Sequence, residues 1–293
     1  MKITRFARVE MPDHRDESFD DLLLGRREFE QDSRAAVRKA GVQAGNVEQA
    51  LETAQNFYFR GDYLEGLRHC ARVLSRDVER IKAWVGQVRI LIDLGRYDSA
   101  LYWADKACTK QGGSTLTSFA KALALAHVGR IDDAKTIINI PVGKDDDPMI
   151  WLLRGEVLIK VRINFLQKIF TPHKGIGRLG AFFCFIKALA SDQRDPFINQ
   201  RIGLAYMLER QYRRAAEHLG ISLNAVSDNA LTLYGLAECY RARRDYERAL
   251  QYVKKAITRN PNLDCAFELL EWLHGPNRRF YWAARRRTRK EVS

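Results

Sequence analysis

Residues 230–263 read ALTLYGLAECYRARRDYERALQYVKKAITRNPNL, and this stretch describes two helices joined by a tight turn. Leu233, Leu236, Ala237 and Tyr240 recur on one helical face; Tyr246, Ala249 and Ala256 do so in the second half. The small side chains of Ala237 and Ala249 let the two helices cross closely, with large residues filling the seam on either side. Pro261 then ends the second helix, because its ring removes a backbone donor and clashes with the preceding turn.

The turn between the halves, Arg-Arg-Tyr at 244–246, has counterparts along the chain. Gly-Asp-Tyr at 61–63, Gly-Arg-Tyr at 95–97 and Gly-Arg-Ile at 129–131 are 34 residues apart, and Arg-Gln-Tyr at 210–212 lies 34 before the last turn. Glycine at the first position tolerates the left-handed conformation that ends a helix. A period of this length signals a stack of helix pairs, each too small to bury its apolar face alone.

With Ala230 as position 1, Leu233, Leu236, Ala237, Tyr240, Tyr246, Ala249, Ala256 and Pro261 take positions 4, 7, 8, 11, 17, 20, 27 and 32. In this register the chain resembles the tetratricopeptide repeat (TPR) proteins. The resemblance implies an all-α, right-handed superhelical solenoid of about six TPR-like helix pairs. The pairs are expected at about 47–80, 81–114, 115–147, 148–195, 196–229 and 230–263. Fold alone does not name a function.

The flanks depart from the repeat. Residues 1–45 read as an N-terminal extension: Ser18 and Asp21 begin a short amphipathic helix carrying Phe19, Leu22, Leu23 and Phe29, and a second short helix spans 33–40. Residues 264–275 read as an amphipathic helix capping the open end of the stack, which terminal repeats require. The tail, 276–293, is rich in arginine. In the third repeat, Pro141 and the run Lys-Asp-Asp-Asp-Pro cut the second helix short.

The fourth repeat breaks the spacing. Trp151 and Gly155 fit its first helix, Ala181, Phe185 and Ala188 its second, and the two registers differ by 14 residues. The insertion, 162–175, is close to four helical turns long, so the first helix is expected to run to Phe170 and stop before Pro172. It carries Ile163, Phe165, Leu166, Ile169 and Phe170 together with Lys168 and Lys174. These residues are expected to form a protruding elbow that docks a partner or folds back on the array.

The chain has 293 residues, 46% hydrophobic and 29% charged, which suits a packed globular protein. MKITRFARVEMPDH lacks the apolar run of a signal peptide, and no stretch is apolar enough to span a membrane. A cytoplasmic or nuclear location is expected. Five scattered cysteines with no C-x-x-C spacing read as buried free thiols rather than a disulfide framework or zinc site.

The net charge of +13 is concentrated in two places. Residues 160–178 hold five bases and no acid, a net +5; the tail holds Arg278, Arg279, Arg285, Arg286, Arg287, Arg289 and Lys290 against Glu291, a net +6. Phe280, Tyr281 and Trp282 lie between the tail's arginine clusters. Arginines that neutralise phosphate beside aromatics that stack on bases fit RNA or single-stranded DNA, and the same composition suits an anionic surface or an acidic protein.

Catalytic and cofactor motifs are wanting. The six histidines show no metal-ligand spacing, and no nucleophile elbow, zincin motif or Walker loop occurs. Gly175, Gly177 and Gly180 form a literal G-x-G-x-x-G, but helical repeats surround it where a dinucleotide site needs a βαβ unit, so an elbow turn is expected. A non-enzymatic protein without cofactor or metal is the reading.

The resemblance also implies which residues line the concave face. They are Leu51, Gln55 and Tyr58; Val85, Arg89 and Ile92; Phe119, Leu123 and His127; Leu152, Glu156 and Ile159; Gln200, Leu204 and Met207; and Tyr234, Glu238 and Arg241. This face is more apolar than a free surface needs. It suits an amphipathic helix or extended apolar peptide, unless the chain's own first helix or tight superhelical packing covers it. The Lys and Asn set with which some family members clamp a C-terminal carboxylate is missing, since Leu51 and Gln55 stand at two of its positions. The expected function is a protein-interaction scaffold or adaptor within a larger complex, with nucleic-acid association through the tail and insertion as the alternative.

Overall fold

The computed structural model describes residues 44–142, 147–168 and 176–275, and every regular element among them is a helix. Six pairs follow one another: α1 (Ala44–Arg60) with α2 (Tyr63–Arg76), α3 (Ile81–Asp93) with α4 (Tyr97–Lys110), and α5 (Thr115–Val128) with α6 (Ile131–Ile138). The series continues with α7 (Pro148–Lys168) and α8 (Ile176–Ala188), α9 (Pro196–Leu208) and α10 (Tyr212–Ala225), then α11 (Ala230–Ala242) and α12 (Tyr246–Arg259). α13 (Asp264–His274) closes the series against α12 and α11. The chain is thus an all-α solenoid of paired helices.

Local chemistry sets the helix ends. Gly61, Gly95 and Gly129 adopt φ of 79°, 74° and 99° at the turns inside the first three pairs. Arg210 and Arg244 take the equivalent left-handed places at 58° and 64°, so the turn keeps its geometry where the sequence gives up glycine. Ser114, Asp195, Asn229 and Asp245 cap α5, α9, α11 and α12 by accepting a backbone N–H from the first turn. Pro196 stands in the first turn of α9, where its missing donor costs nothing.

Within pairs, small residues mark the crossings. A Cβ at Gly155 would collide with the Phe185 ring, and one at Gly203 would lie 2.6 Å from Leu219 Cγ. Ala122, Ala134, Ala237 and Ala249 are fully buried at equivalent crossings.

The core shows how the array is wound. One cluster of buried side chains runs through the first three pairs and into α7, and it also contains Leu233, Tyr234, Val253, Leu263, Leu269 and Leu273 from the sixth pair and α13. The first and last pairs are therefore packed together. Asn260 Nδ2 donates to the Arg60 carbonyl at 2.8 Å across 200 residues of sequence, and Asn260 and Leu263 close over Gly61. A cavity of about 280 Å³ between α1 and the turn after α10 is lined by Asn56, Phe59, Val226 and Asp228. Two smaller clusters complete the interior, one centred on Trp151, Phe185 and Ile202, the other on Leu219 and Leu236.

Several expectations meet the structure directly. α6 has only 8 residues against 14 in α2, α4, α10 and α12, as the proline and acidic run imply. α7 is extended to 21 residues and is described as far as Lys168, which takes in the first half of the insertion; whether it reaches Phe170 lies outside the described residues. Gly177 and Gly180 are inside α8 rather than in a turn, and Gly175 is not among the described residues. The expected helices within 1–43 and the tail from 276 also lie outside them.

Candidate functional site: a filled concave face with one open cleft

The first helices of the pairs converge on the superhelix axis, and side chains from four of them meet there. Arg201 on α9 donates from Nε to Glu156 Oε1 on α7 at 2.7 Å and from Nη1 to Asp93 Oδ2 on α3 at 2.9 Å. It also donates to the Tyr58 hydroxyl on α1 at 2.7 Å, and that hydroxyl in turn donates to Asp93 Oδ2 at 2.7 Å. Arg89 on α3 pairs with Glu156 Oε2 at 2.8 Å and lies over the Phe197 ring, 5.3 Å from its centroid. Two guanidinium groups thus face two carboxylates, and the hub is neutral.

Burial makes the hub stringent. The side chains of Arg89 and Glu156 are 3% and 7% exposed, those of Arg201 and Asp93 11% and 17%. Burial pushes the Glu156 carboxyl up, but the guanidinium groups of Arg201 and Arg89 outweigh it and hold the group below its usual value. Burial also raises the Tyr58 hydroxyl far above its usual range, so it stays a neutral donor. Arg201 remains charged, since Asp93 and Glu156 more than offset its desolvation. His127 on α5 is buried and held well below its usual value by desolvation, then by Lys160, Arg201 and Arg89.

This arrangement fills most of the face that the family pattern assigns to a peptide groove, which is the packed alternative that the sequence left open. Tyr58 and Arg89 belong to the hub, and Val85, Ile92, Phe119, Leu123, Leu152, Ile159, Met207 and Tyr234 are buried, Phe119 and Leu152 completely. Leu51 and Leu204 are half-buried. The physical reason is the winding: once the sixth pair touches the first, positions that would face a channel face one another. Of the insertion residues, Ile163, Phe165, Leu166 and Lys168 have their backbone in α7 without described side chains, and Ile169, Phe170 and Lys174 lie outside the described residues. The same holds for Arg278, Arg279, Arg285, Arg286, Arg287, Arg289 and Lys290.

Asp93 and Arg201 are hub residues that the family pattern did not single out. Asp93 is one position past Ile92 on the inward face; Arg201 follows Gln200 and reads as an ordinary surface arginine until the helices are assembled.

The inner face is not closed throughout. A cleft of about 500 Å³ lies between α1, α3 and the starts of α7 and α9. Its floor includes Leu51, Val85, Met149 and Phe197, and its lining carries the carboxylates of Glu48, Glu52, Asp147 and Asp195 against Lys82 and Arg89. Arg89 is already matched by Glu156 and Glu48 lies 3.6 Å from Arg80, which leaves Glu52, Asp147 and Asp195 against Lys82, so the cleft is acidic in a chain whose net charge is +13. Asp147 and Asp195 each commit one carboxylate oxygen to a backbone N–H at the start of α7 or α9, at 2.8 and 2.7 Å.

Cys70, Cys184, Cys239 and Cys265 are buried free thiols, and burial pushes them up to about 12, 11, 12 and 12. Among the described residues no helix is long and apolar enough to cross a membrane, and no cluster of three His, Cys, Asp or Glu forms a metal site.

Comparison with known proteins agrees with this geometry at the level of the repeat. Models of the tetratricopeptide repeat match residues 51–115 and 230–263. Curated protein sequences give no significant match. Among solved structures, a tetratricopeptide repeat protein from Parabacteroides merdae aligns over 88% of this chain and 94% of its own at 16% identity, with a TM-score of 0.47. A thermophilic TPR protein of Thermus thermophilus aligns over 78% and 100% at 19% identity and TM-score 0.44. YrrB, described as a TPR protein with an unusual peptide-binding site, aligns over 68% and 96% at 15% identity and TM-score 0.40. Two segments thus match models of the tetratricopeptide repeat, and the 34-residue spacing of the turns and the paired helices among the described residues are similar to that repeat.

Proposed function

We propose that this protein is a non-enzymatic interaction scaffold that takes a segment of a protein partner in the cleft between α1, α3, α7 and α9. The observation that carries the reading is the pairing of apolar side chains with four carboxylates in an open stretch of the inner face. A bound segment would place aliphatic or aromatic side chains against Leu51, Val85 and Phe197 and a basic side chain beside Glu52 or Asp195. Anchoring one large apolar side chain there would contribute roughly 1.5–3 kcal/mol, and peripheral charges would act mainly on selectivity and association rate.

The partner is therefore an amphipathic, basic helix or extended peptide, a narrower class than the apolar face implied from sequence. The insertion around α7 offers a second docking element for the same complex, with Lys168 and Lys174 suited to an acidic surface.

Leu51→Arg with Glu52→Lys tests this. Both side chains are at least partly exposed on α1, so helical content and thermal midpoint should change little. Partners recovered with the wild-type chain from its native host should be lost with the variant. An unchanged partner set would remove the cleft as the binding site. Nuclease treatment in parallel addresses nucleic-acid association, since partners bridged by the basic tail would be lost with nuclease and kept with the variant.

A further inference from the structure

The cleft has a candidate occupant within the chain itself. Resting on the reading of the cleft as a peptide site, we propose that in the free protein it is held by the chain's own C-terminal segment, 278–290, which a partner must displace.

Charge selects this segment from the four that lie outside the described residues. Residues 143–146 adjoin the cleft at Asp147 but hold two acids against one base, which an acidic lining repels. Residues 1–43 adjoin α1, yet their nine basic and nine acidic side chains balance. The insertion leaves α7 at Lys168, whereas the cleft touches that helix at Pro148 and Met149. About 30 Å of helix separates the two ends. The C-terminal segment carries seven basic side chains and no acid between Arg278 and Lys290, with Phe280, Tyr281 and Trp282 between the arginine clusters. Aromatics flanked by arginines match an apolar floor ringed by Glu48, Glu52, Asp147 and Asp195.

Reach permits the contact. α13 ends at His274, and the residues that lead into it, Asn260 and Leu263, sit against Gly61 at the end of α1. From Tyr58 to Glu48 the cleft follows α1 for about 15 Å. The 18 residues after Gly275 span up to about 60 Å when extended.

Limited trypsin digestion of the full-length protein tests the proposal by following cleavage at Arg285–Arg287 by mass spectrometry. In the wild type these bonds should be protected at low salt and released as salt rises. Glu48→Lys with Glu52→Lys should speed cleavage by about tenfold, because cleavage follows the population of the released state. Combining that variant with Arg285→Glu, Arg286→Glu and Arg287→Glu should restore protection of the segment, read by hydrogen exchange because the tryptic sites are gone. Cleavage at the same rate in wild type and Glu48→Lys/Glu52→Lys would overturn the proposal. Protection that grows with protein concentration would also overturn it, by assigning the segment to a second copy. A labelled synthetic peptide of residues 277–291 separates the two claims. If it binds the full-length chain, and Glu52→Lys abolishes that binding, while the tail shows no protection, the cleft stands as a peptide site and self-occupancy falls. If it does not bind even when the protein's tail is unprotected, both fall.

Discussion

Arg201 joins Asp93, Glu156 and Tyr58 across the axis, and its removal would leave the Asp93 carboxylate without a cation beside a Glu156 held by Arg89 alone. Arg201→Met should therefore destabilise the fold by about 3–5 kcal/mol, measured by urea denaturation, because the loss strands the largely buried Asp93 carboxylate rather than merely deleting a contact. A buried ion pair need not be more stabilising than well-packed apolar residues. What the hub does show is side chains of four helices joined at one place. The hub also sets a pH dependence. His127 is depressed in the folded state, so the unfolded chain binds the proton more readily, and stability should fall as pH drops below about 6.5. Glu156 is depressed as well; its contribution is full above its ordinary value of 4.5 and is lost as pH falls through its lower folded value. Acid unfolding should thus begin with the histidines, His69 and His218 being shifted in the same direction, and finish with the hub. His127→Gln should flatten the upper part of the stability–pH curve measured by denaturant midpoint, and an unchanged curve would contradict the assignment.

Elements were more legible in the sequence than the residues that join them. Turn signals at 61, 95, 129, 210 and 244 fall at left-handed residues in the structure, because helix ending is a local matter of φ and of a missing or tolerated Cβ. The shortened α6 and lengthened α7 follow equally from Pro141 and from the shift of register between Gly155 and Ala181. The elbow is less well described by sequence, since Gly177 and Gly180 look like a turn in isolation yet sit in α8. Packing overrides a propensity worth about 1 kcal/mol per glycine. The structure places the anchoring residues of this pair before and after the insertion: Val157 and Ile159 on α7, and Ala181, Cys184, Phe185 and Ala188 on α8. Replacing 162–175 by a short Gly-Asn turn should therefore leave a folded chain whose thermal midpoint stays close to wild type. If the insertion docks a partner, that variant will lose assembly without losing helicity by circular dichroism; unfolding would show instead that the segment belongs to the core.

For the whole molecule, the repeat pattern specifies how each helix pair packs on the next but not how far the array turns before its ends meet. That angle accumulates from small rotations at each crossing, set by side chains as unlike as Gly155, Ala237 and Val88 at the same position. The concave residues could be named from the family pattern, and their apolar character was visible, but the same character serves a peptide groove or a core. Contact between the first and sixth pairs makes a core of most of that face, while the acidic cleft is among the parts that stay accessible. The distance between α1 and the turn before α11 therefore tests the account most directly. With Cys108→Ser removing the half-buried thiol, spin labels at Asn56→Cys and Asp228→Cys flank the small cavity where these elements meet. The account predicts a single short distance that persists at high salt and lengthens in Arg201→Met; a broad distribution of long distances in the otherwise wild-type chain would show an open solenoid and contradict it.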